Sequence, residues 1–129
     1  MNKIKFGVDY HGVYEKYYNI FNVFNRLLID NKHEVHLITG EPIEDNIKFK
    51  TKLKKMGNGI IHFTHMFSIT DYLIDNDFPY VQTHNGIKFI NEDWDSAKAR
   101  YCLDNNITLM VDDSEIYGTY FKTPYIRLK

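Results

Sequence analysis

Polar side chains follow three apolar segments of the chain, at the point where each segment ends. The sequence Asp9-Tyr10-His11-Gly12-Val13 stands directly behind Ile4–Val8, Thr39-Gly40 ends a second apolar segment, and Asp112-Asp113 follows a third. A carboxylate can act as a nucleophile towards phosphorus, and several oxygens together suit Mg²⁺. These residue types predict phosphoryl transfer or metal binding at one shared site.

The segments that carry these residues alternate between strand and helix patterns. β-Branched and aromatic residues predict strands at residues 3–9, 33–39, 60–64, 107–111 and 124–128. Apolar spacing and capping residues predict helices at residues 15–31, 44–56 and 68–75, and from Asp95 or Ser96 to about residue 105. Asn85-Gly86 predicts a hairpin within residues 79–90. Alternating strands and helices are typical of a parallel sheet covered by helices.

The predicted sheet brings the polar residues together. Ligands of parallel sheets bind beyond the carboxyl ends of the strands, where Asp9, Thr39 and the acidic pair all lie. Asp9 is then a candidate nucleophile that forms an aspartyl-phosphate, and Thr39 is a hydrogen-bond donor to a phosphoryl oxygen. Lys98, expected at the start of the helix before Asp112, would offset the negative charge of nucleophile and phosphate.

Taken together and in order, these residues resemble a known family. The segment from Asp9 to Val13, Thr39-Gly40, Lys98 and Asp112-Asp113-Ser114 are similar to the four motifs of the haloacid dehalogenase-like (HAD) hydrolase superfamily, over nearly the whole chain. The sequence Thr123-Pro124-Tyr125 also looks like a segment that follows the acidic pair in small nucleotidase-like members. The resemblance implies one Rossmann-like α/β domain over residues 1–129, a three-layer α/β/α sandwich with a mainly parallel central sheet. It implies no full cap domain and at most a small hairpin lid around residues 79–90.

The resemblance also implies roles for individual residues. Asp9 would be the nucleophile and a ligand of Mg²⁺, and the backbone carbonyl of His11 would supply another ligand. Asp113 would bind the metal directly, with Asp112 beside or behind it. Thr39 and Lys98 would hold the transferring phosphoryl group. The implied activity is Mg²⁺-dependent hydrolysis of a small phosphomonoester, with nucleotides favoured by the Thr-Pro-Tyr segment; an open site would also admit a phosphorylated nucleic-acid end.

His11 departs from the pattern of the phosphatases in this superfamily. They normally carry a second Asp there, which protonates the leaving oxygen and then activates water. Histidine has an unperturbed pKa of about 6.5, which suits general acid–base catalysis. Two hypotheses therefore stand: a phosphatase in which His11 does this work, or a catalytically weak or inactive relative that binds metal and phosphate, or a protein partner. A response-regulator receiver is disfavoured, because its acidic pair would follow the first strand.

Bulk properties narrow the classes of function. The 129 residues suit one domain, and 16 basic against 17 acidic residues give no global field for nucleic acid or an anionic membrane. No apolar run approaches the roughly 20 residues that span a bilayer, and Lys3 and Lys5 interrupt any signal-peptide pattern. The single Cys102 excludes an internal disulfide and fits a reducing compartment. We therefore expect a soluble, cytoplasmic protein; no feature predicts its oligomeric state.

Other charged or metal-suited groups have simpler interpretations. His62 and His65 have the spacing of a zinc pair, but the sequence offers no evident third ligand nearby. His36 in mid-strand is expected to be a structural histidine. The lysines of residues 48–55 are expected to form a solvated helix face rather than a nucleic-acid surface.

Overall fold

Strands and helices alternate along the chain as the sequence pattern predicts. The computed structural model describes residues 2–129. In chain order the elements are β1 (Lys5–Asp9), α1 (Glu15–Asp30), β2 (Glu34–Thr39), α2 (Ile47–Met56), β3 (His65–Ser68), α3 (Ile69–Asp75), β4 (Tyr80–Thr83), β5 (Gly86–Phe89), α4 (Asn91–Asp104), β6 (Leu109–Asp112), α5 (Glu115–Gly118) and β7 (Tyr125–Arg127). A short turn, Tyr10–Tyr14, connects β1 to α1.

Five of the strands form one parallel sheet in the order β3-β2-β1-β6-β7. The chain builds outwards from β1 through β2 to β3, and later returns to place β6 on the other side of β1. The order of strands therefore changes direction between β1 and β6, and open parallel sheets bind ligands at such a point. The fold is α/β, with helices flanking a parallel sheet, and it is compatible with a Rossmann-like fold.

Successive strand residues pack into different apolar clusters. Val8, Val35 and Leu37 are buried in a cluster that includes side chains of α1 and α2. Ile38 and Met110 pack instead with Cys102 of α4. Side chains along a strand alternate between the two faces of the sheet. Both faces therefore carry buried apolar residues, as the uninterrupted apolar runs of the sequence predict.

The starts of two elements differ most from the sequence-based expectation, and the short helix α5 has no predicted counterpart. The strand expected at residues 60–64 is instead β3, which begins at His65. Ile60 still belongs to the turn after α2, where its N–H donates to the Gly57 carbonyl at 3.2 Å. Thr64 bonds β2, because its backbone N–H and its hydroxyl donate to the carbonyl of Val35 at 2.8 and 3.0 Å. Helix α4 begins at Asn91 instead of near Asp95, with no side-chain cap at Ile90. Lys98 therefore lies in the middle of this helix and not at its start.

The predicted hairpin is present as a separate pair of antiparallel strands. Thr83 pairs with Gly86, so His84 and Asn85 form the turn and Gly86 follows it with a φ of 106°. Phe89 anchors the hairpin, because it is buried beside Ala97 and stacks on Trp94 with 6.0 Å between ring centroids. Among residues 2–129, no helix combines the length and the apolar character that crossing a bilayer requires.

The fold yields a matched stability test. Val35 in β2 is fully buried, whereas Val81 in β4 is 61% exposed. Val35→Ala removes two buried methyl groups and leaves a cavity, so we expect it to lower the free energy of unfolding by about 2 kcal/mol or more. Val81→Ala makes the same chemical change on an exposed strand and should change stability by less than about 0.5 kcal/mol. Urea denaturation measures both; equal losses would contradict the assignment of the core.

Candidate functional site

A buried lysine joins the ends of two neighbouring strands. The ammonium of Lys98 donates hydrogen bonds to Asp9 Oδ1 at 2.6 Å and to Asp112 Oδ2 at 2.9 Å. All three side chains are buried, and Lys98 is only 2% exposed. A buried charge is tolerated when it is paired and hydrogen-bonded, and this one has two carboxylate partners. The structure therefore brings together three of the residues that the sequence singles out.

The register of the sheet explains why the two carboxylates meet. Val8 of β1 lies opposite Val111 of β6. The next residues, Asp9 and Asp112, are the last of their strands and therefore lie side by side at the edge of the sheet. Lys98 reaches them from α4, and its Nζ lies 4.7 Å from the centre of the Tyr117 ring. Asp112 Oδ1 also accepts a hydrogen bond from the backbone N–H of Ser114 at 2.9 Å, which fixes the carboxylate.

Burial and charge shift the protonation of this cluster. Desolvation by burial raises the pKa of Asp9 to about 7, and the carboxylates of Asp112 and Asp113 add to the rise against the attraction of Lys98. Burial alone would lower the pKa of Lys98, but Asp9 and Asp112 outweigh it, so its pKa is raised and the ammonium stays charged. Negative charge is therefore in excess around Asp9.

Asp113 completes a set of acidic groups that can hold a metal ion. Carboxylate oxygens of Asp9, Asp112 and Asp113 lie within 4.8 Å of one another. With all three ionised, three negative charges face the single positive charge of Lys98, which leaves an excess of two. The oxygen donors and this excess fit a hard divalent cation.

Gly12 provides the space that Asp113 occupies. Its φ is 74°, a conformation that favours glycine, and a Cβ at this position would overlap the carboxylate of Asp113. Gly12 therefore allows the loop after β1 to approach the acid that follows β6.

His11 lines the same pocket as Asp9 and Asp113, but its ring contacts acidic side chains. His11 Nε2 lies 3.0 Å from Glu41 Oε1, and Nδ1 lies 3.7 Å from Glu15 Oε1. The side chain is 58% exposed. The sequence pattern gives no indication of the partner Glu41, which is distant in sequence and belongs to the loop after β2.

Thr39 ends β2 as predicted, and its side chain stabilises the turn that follows. The buried hydroxyl accepts a hydrogen bond from the backbone N–H of Glu41 at 3.1 Å. Gly40, next in the chain, allows Trp94 to pack against the backbone, since a Cβ there would lie 2.8 Å from Trp94 Cζ2. Gly40 and Glu41 line the pocket directly.

The pocket over the acidic cluster has a volume of about 360 Å³ and an aromatic wall. Its lining includes Asp9, His11, Lys98 and Asp113 together with Trp94 and Tyr117. Trp94 Nε1 donates a hydrogen bond to the Tyr117 hydroxyl at 2.7 Å, which joins α4 to the helix after β6. Trp94 directly precedes the predicted start of the helix that carries Lys98, whereas nothing in the sequence pattern singles out Tyr117.

The His62 and His65 pair does not form a shared site. His62 Nε2 lies 3.1 Å from the Gly57 carbonyl, and its Nδ1 lies 3.3 Å from Arg26. His65 instead stacks on His36. The described residues hold one further group that can ligate a metal, Glu34 with His36 and His65.

Comparisons with protein-family models, with curated proteins and with solved structures found no match for this chain.

A divalent cation should stabilise the protein, and more so at higher pH. At a hundredfold excess over its dissociation constant, a ligand adds about 2.7 kcal/mol to the free energy of unfolding. The proton on Asp9, with a pKa of about 7, competes with the metal. We therefore expect Mg²⁺ to raise the melting temperature more at about pH 8 than at about pH 6.

Differential scanning fluorimetry measures this shift, with Asp113→Asn as the variant that should lose it. Asp104→Asn replaces an exposed acid outside the pocket and should keep it. An equal shift at both pH values, or an equal shift in Asp113→Asn, would contradict this metal site.

Gly12→Ala should displace Asp113 and weaken metal binding. The added methyl group overlaps the Asp113 carboxylate, so the metal-dependent rise in melting temperature should fall by at least half. Gly59→Ala is the matched control, because Gly59 also has a positive φ, of 90°, but has no atom within 4 Å of an added Cβ. Both variants carry the backbone strain; a metal response lost equally in both would argue against the Asp113 contact.

Proposed function

We propose that the protein is a small HAD-type phosphohydrolase, a Mg²⁺-dependent phosphomonoesterase built as a three-layer α/β/α domain. The observation that carries the proposal is the buried contact of Lys98 with Asp9 and Asp112, at the carboxyl ends of adjacent parallel strands. The same residues stand in the order of the superfamily's motifs.

Asp9 is the nucleophile of the proposed reaction. One of its carboxylate oxygens attacks the phosphorus of a phosphomonoester, and the bond from phosphorus to the leaving alcohol breaks. This gives an aspartyl-phosphate and an alcohol, which takes up one proton. Water then attacks the aspartyl-phosphate, releases inorganic phosphate and regenerates the Asp9 carboxylate.

Lys98 and a metal ion neutralise charge in this proposal. Asp9, Asp112 and Asp113, with the backbone carbonyl of His11, would hold Mg²⁺, which when bound offsets the charge of nucleophile and phosphate. The raised pKa of Asp9 supports this role, because a nearby cation would favour the reactive carboxylate form. Lys98 attracts the phosphoryl oxygens, whereas the Thr39 hydroxyl at the same sheet edge is fully buried and would have to be uncovered to meet them.

His11 is the proposed general acid and base. Its imidazole lines the pocket with Asp9, and it would give a proton to the leaving oxygen and take one from the attacking water. Glu41 lies 3.0 Å from Nε2 and orients the ring. The half-exposed side chain is free to turn from Glu41 towards a bound substrate.

The contact between His11 and Glu41 also supports a second candidate, a metal- and phosphate-binding protein without turnover. If the His11 ring stays bound to Glu41, no group protonates the leaving oxygen, and general acid–base catalysis is typically worth about 10²–10⁴-fold in rate. A ligand would then bind at Lys98 and the acidic cluster without being cleaved.

The pocket favours a small substrate. Its volume of about 360 Å³ lies at the lower end of the range for small-molecule sites. Trp94 and Tyr117 offer apolar surface beside the charged groups. We propose a small phosphorylated metabolite, with nucleotides favoured by the resemblance of residues 123–125 to nucleotidase-like members.

The test is Mg²⁺-dependent phosphate release from nucleotides, sugar phosphates and a chromogenic phosphomonoester. Wild type should release phosphate, and Asp9→Asn should lose at least about 10³-fold of that rate because the nucleophile is gone. Asp104→Asn, which removes an exposed carboxylate at the end of α4, should keep the wild-type rate.

His11→Asp separates the two candidates. A silent wild type with activity in His11→Asp would identify the binding protein without turnover. Silence in wild type and His11→Asp alike, with folded protein and bound Mg²⁺, would overturn the proposed hydrolase.

A further inference from the structure

A second cluster of metal-suited side chains lies on β2 and β3, away from the acidic pocket. His36 and His65 are direct partners in the parallel register of these strands. Glu34 precedes His36 by two residues and therefore projects from the same face of the sheet. His36 stands three residues before the end of β2, about 10 Å along the strand from Thr39.

We propose that Glu34, His36 and His65 form a Zn²⁺ site that joins β2 to the edge strand β3. The candidate ligand atoms all lie within 4.8 Å of one another. Glu34 Oε1 is 2.8 Å from His36 Nε2 and 3.8 Å from His65 Nδ1. Ligands bound at about 2.0–2.1 Å around a tetrahedral Zn²⁺ lie roughly 3.3 Å apart, so these two separations lie on either side of the required value.

Tyr101 supports the ligand role of His36. Its hydroxyl lies 2.6 Å from His36 Nδ1, the ring nitrogen opposite the proposed ligand atom. Histidines that bind metals almost always donate their second ring N–H to an oxygen, which fixes the tautomer and the ring orientation. Without metal, the 2.8 Å contact requires Nε2–H to donate to Glu34, and Nδ1 then accepts from the Tyr101 hydroxyl. A bound metal would favour the other tautomer, in which Nδ1–H donates to Tyr101 and the Nε2 lone pair faces the ion.

A metal ion would enter this cluster by replacing the 2.8 Å hydrogen bond between Glu34 and His36. Lys3 lies 3.4 Å from the other oxygen of Glu34, Oε2, and so does not occupy Oε1. His65 stacks on His36 with 4.3 Å between ring centroids and 7° between the ring planes, so the in-plane lone pairs of the two rings do not converge. The half-exposed side chain of His65 would have to rotate to direct Nδ1 at a shared metal ion. Its hydrogen bond with the Thr64 hydroxyl, at 2.8 Å, would be replaced by the metal.

The ligand chemistry separates this site from the acidic one. Two imidazoles and one carboxylate suit Zn²⁺, whereas Mg²⁺ prefers oxygen ligands. The fourth position would be held by water, since the cluster supplies three protein ligands. Zn²⁺ here would cross-link a four-residue edge strand to its neighbour, and so stabilise the edge of the sheet.

The experiment titrates Zn²⁺ into the full, untagged chain by isothermal titration calorimetry, with excess Mg²⁺ present to occupy the acidic pocket. Wild type should bind one Zn²⁺ that His65→Ala does not bind. Tyr101→Phe should weaken that binding by about 10–100-fold, the usual effect of removing a hydrogen-bond partner of a ligand. His84→Ala, which removes a histidine from the hairpin turn, should bind as wild type does.

A second variant excludes the other histidine with acidic neighbours. His11→Ala removes the imidazole beside Glu41 and Glu15, and should leave this Zn²⁺ bound. Thermal melts without metal check that each variant is folded. The side chain of His65 is half exposed, so its replacement should leave the core packing intact. Absence of Zn²⁺ binding to wild type, undiminished binding to folded His65→Ala, or loss in His11→Ala instead would overturn the proposal.

Discussion

The buried ammonium of Lys98 is the contact on which the arrangement of the molecule depends. It joins α4 to the ends of β1 and β6, and removing one partner of a buried ion pair typically costs about 3–5 kcal/mol. Fixing Lys98 also fixes the same face of α4 on either side of it. Trp94, one turn earlier, then covers the pocket, and Tyr101, one turn later, reaches His36. One buried lysine, with its two carboxylate partners, thus positions groups at both candidate sites.

Strands β1, β2 and β6 were predictable because their apolar runs end abruptly in polar residues, whereas β3 lies after the residues predicted for it. Asp9 and Asp112 follow buried segments directly, and parallel pairing alone then places them together. The start of α4 was not predictable, because Ile90 occupies the capping position and offers no acceptor, whereas Asp95 and Ser96 are good local caps. The stacking of Trp94 on Phe89 and the burial of Lys98 outweigh that local preference.

Contacts between distant loops account for what the sequence did not reveal at the sites. Glu41 meets His11, and Tyr117 meets Trp94, only because β2 and β6 end beside β1. The spacing of His65 from His62 is typical of a zinc pair, but the register of β2 and β3 places His65 beside His36 instead. A local pattern shows which residue types are present, whereas the register of the sheet decides which of them meet.

The position of Lys98 determines how the acidic cluster can be used. It holds one oxygen of Asp9 and one of Asp112, and Ser114 holds the other oxygen of Asp112. A cation would therefore compete with these hydrogen bonds at Asp112 but not at Asp113 or at the second oxygen of Asp9, which gives the space at Gly12 its importance. An incoming phosphate would in turn draw Lys98 towards its own oxygens and weaken the contact with Asp9. The lysine that keeps Asp9 paired in the absence of ligand is thus the group best placed to release it when an anion arrives.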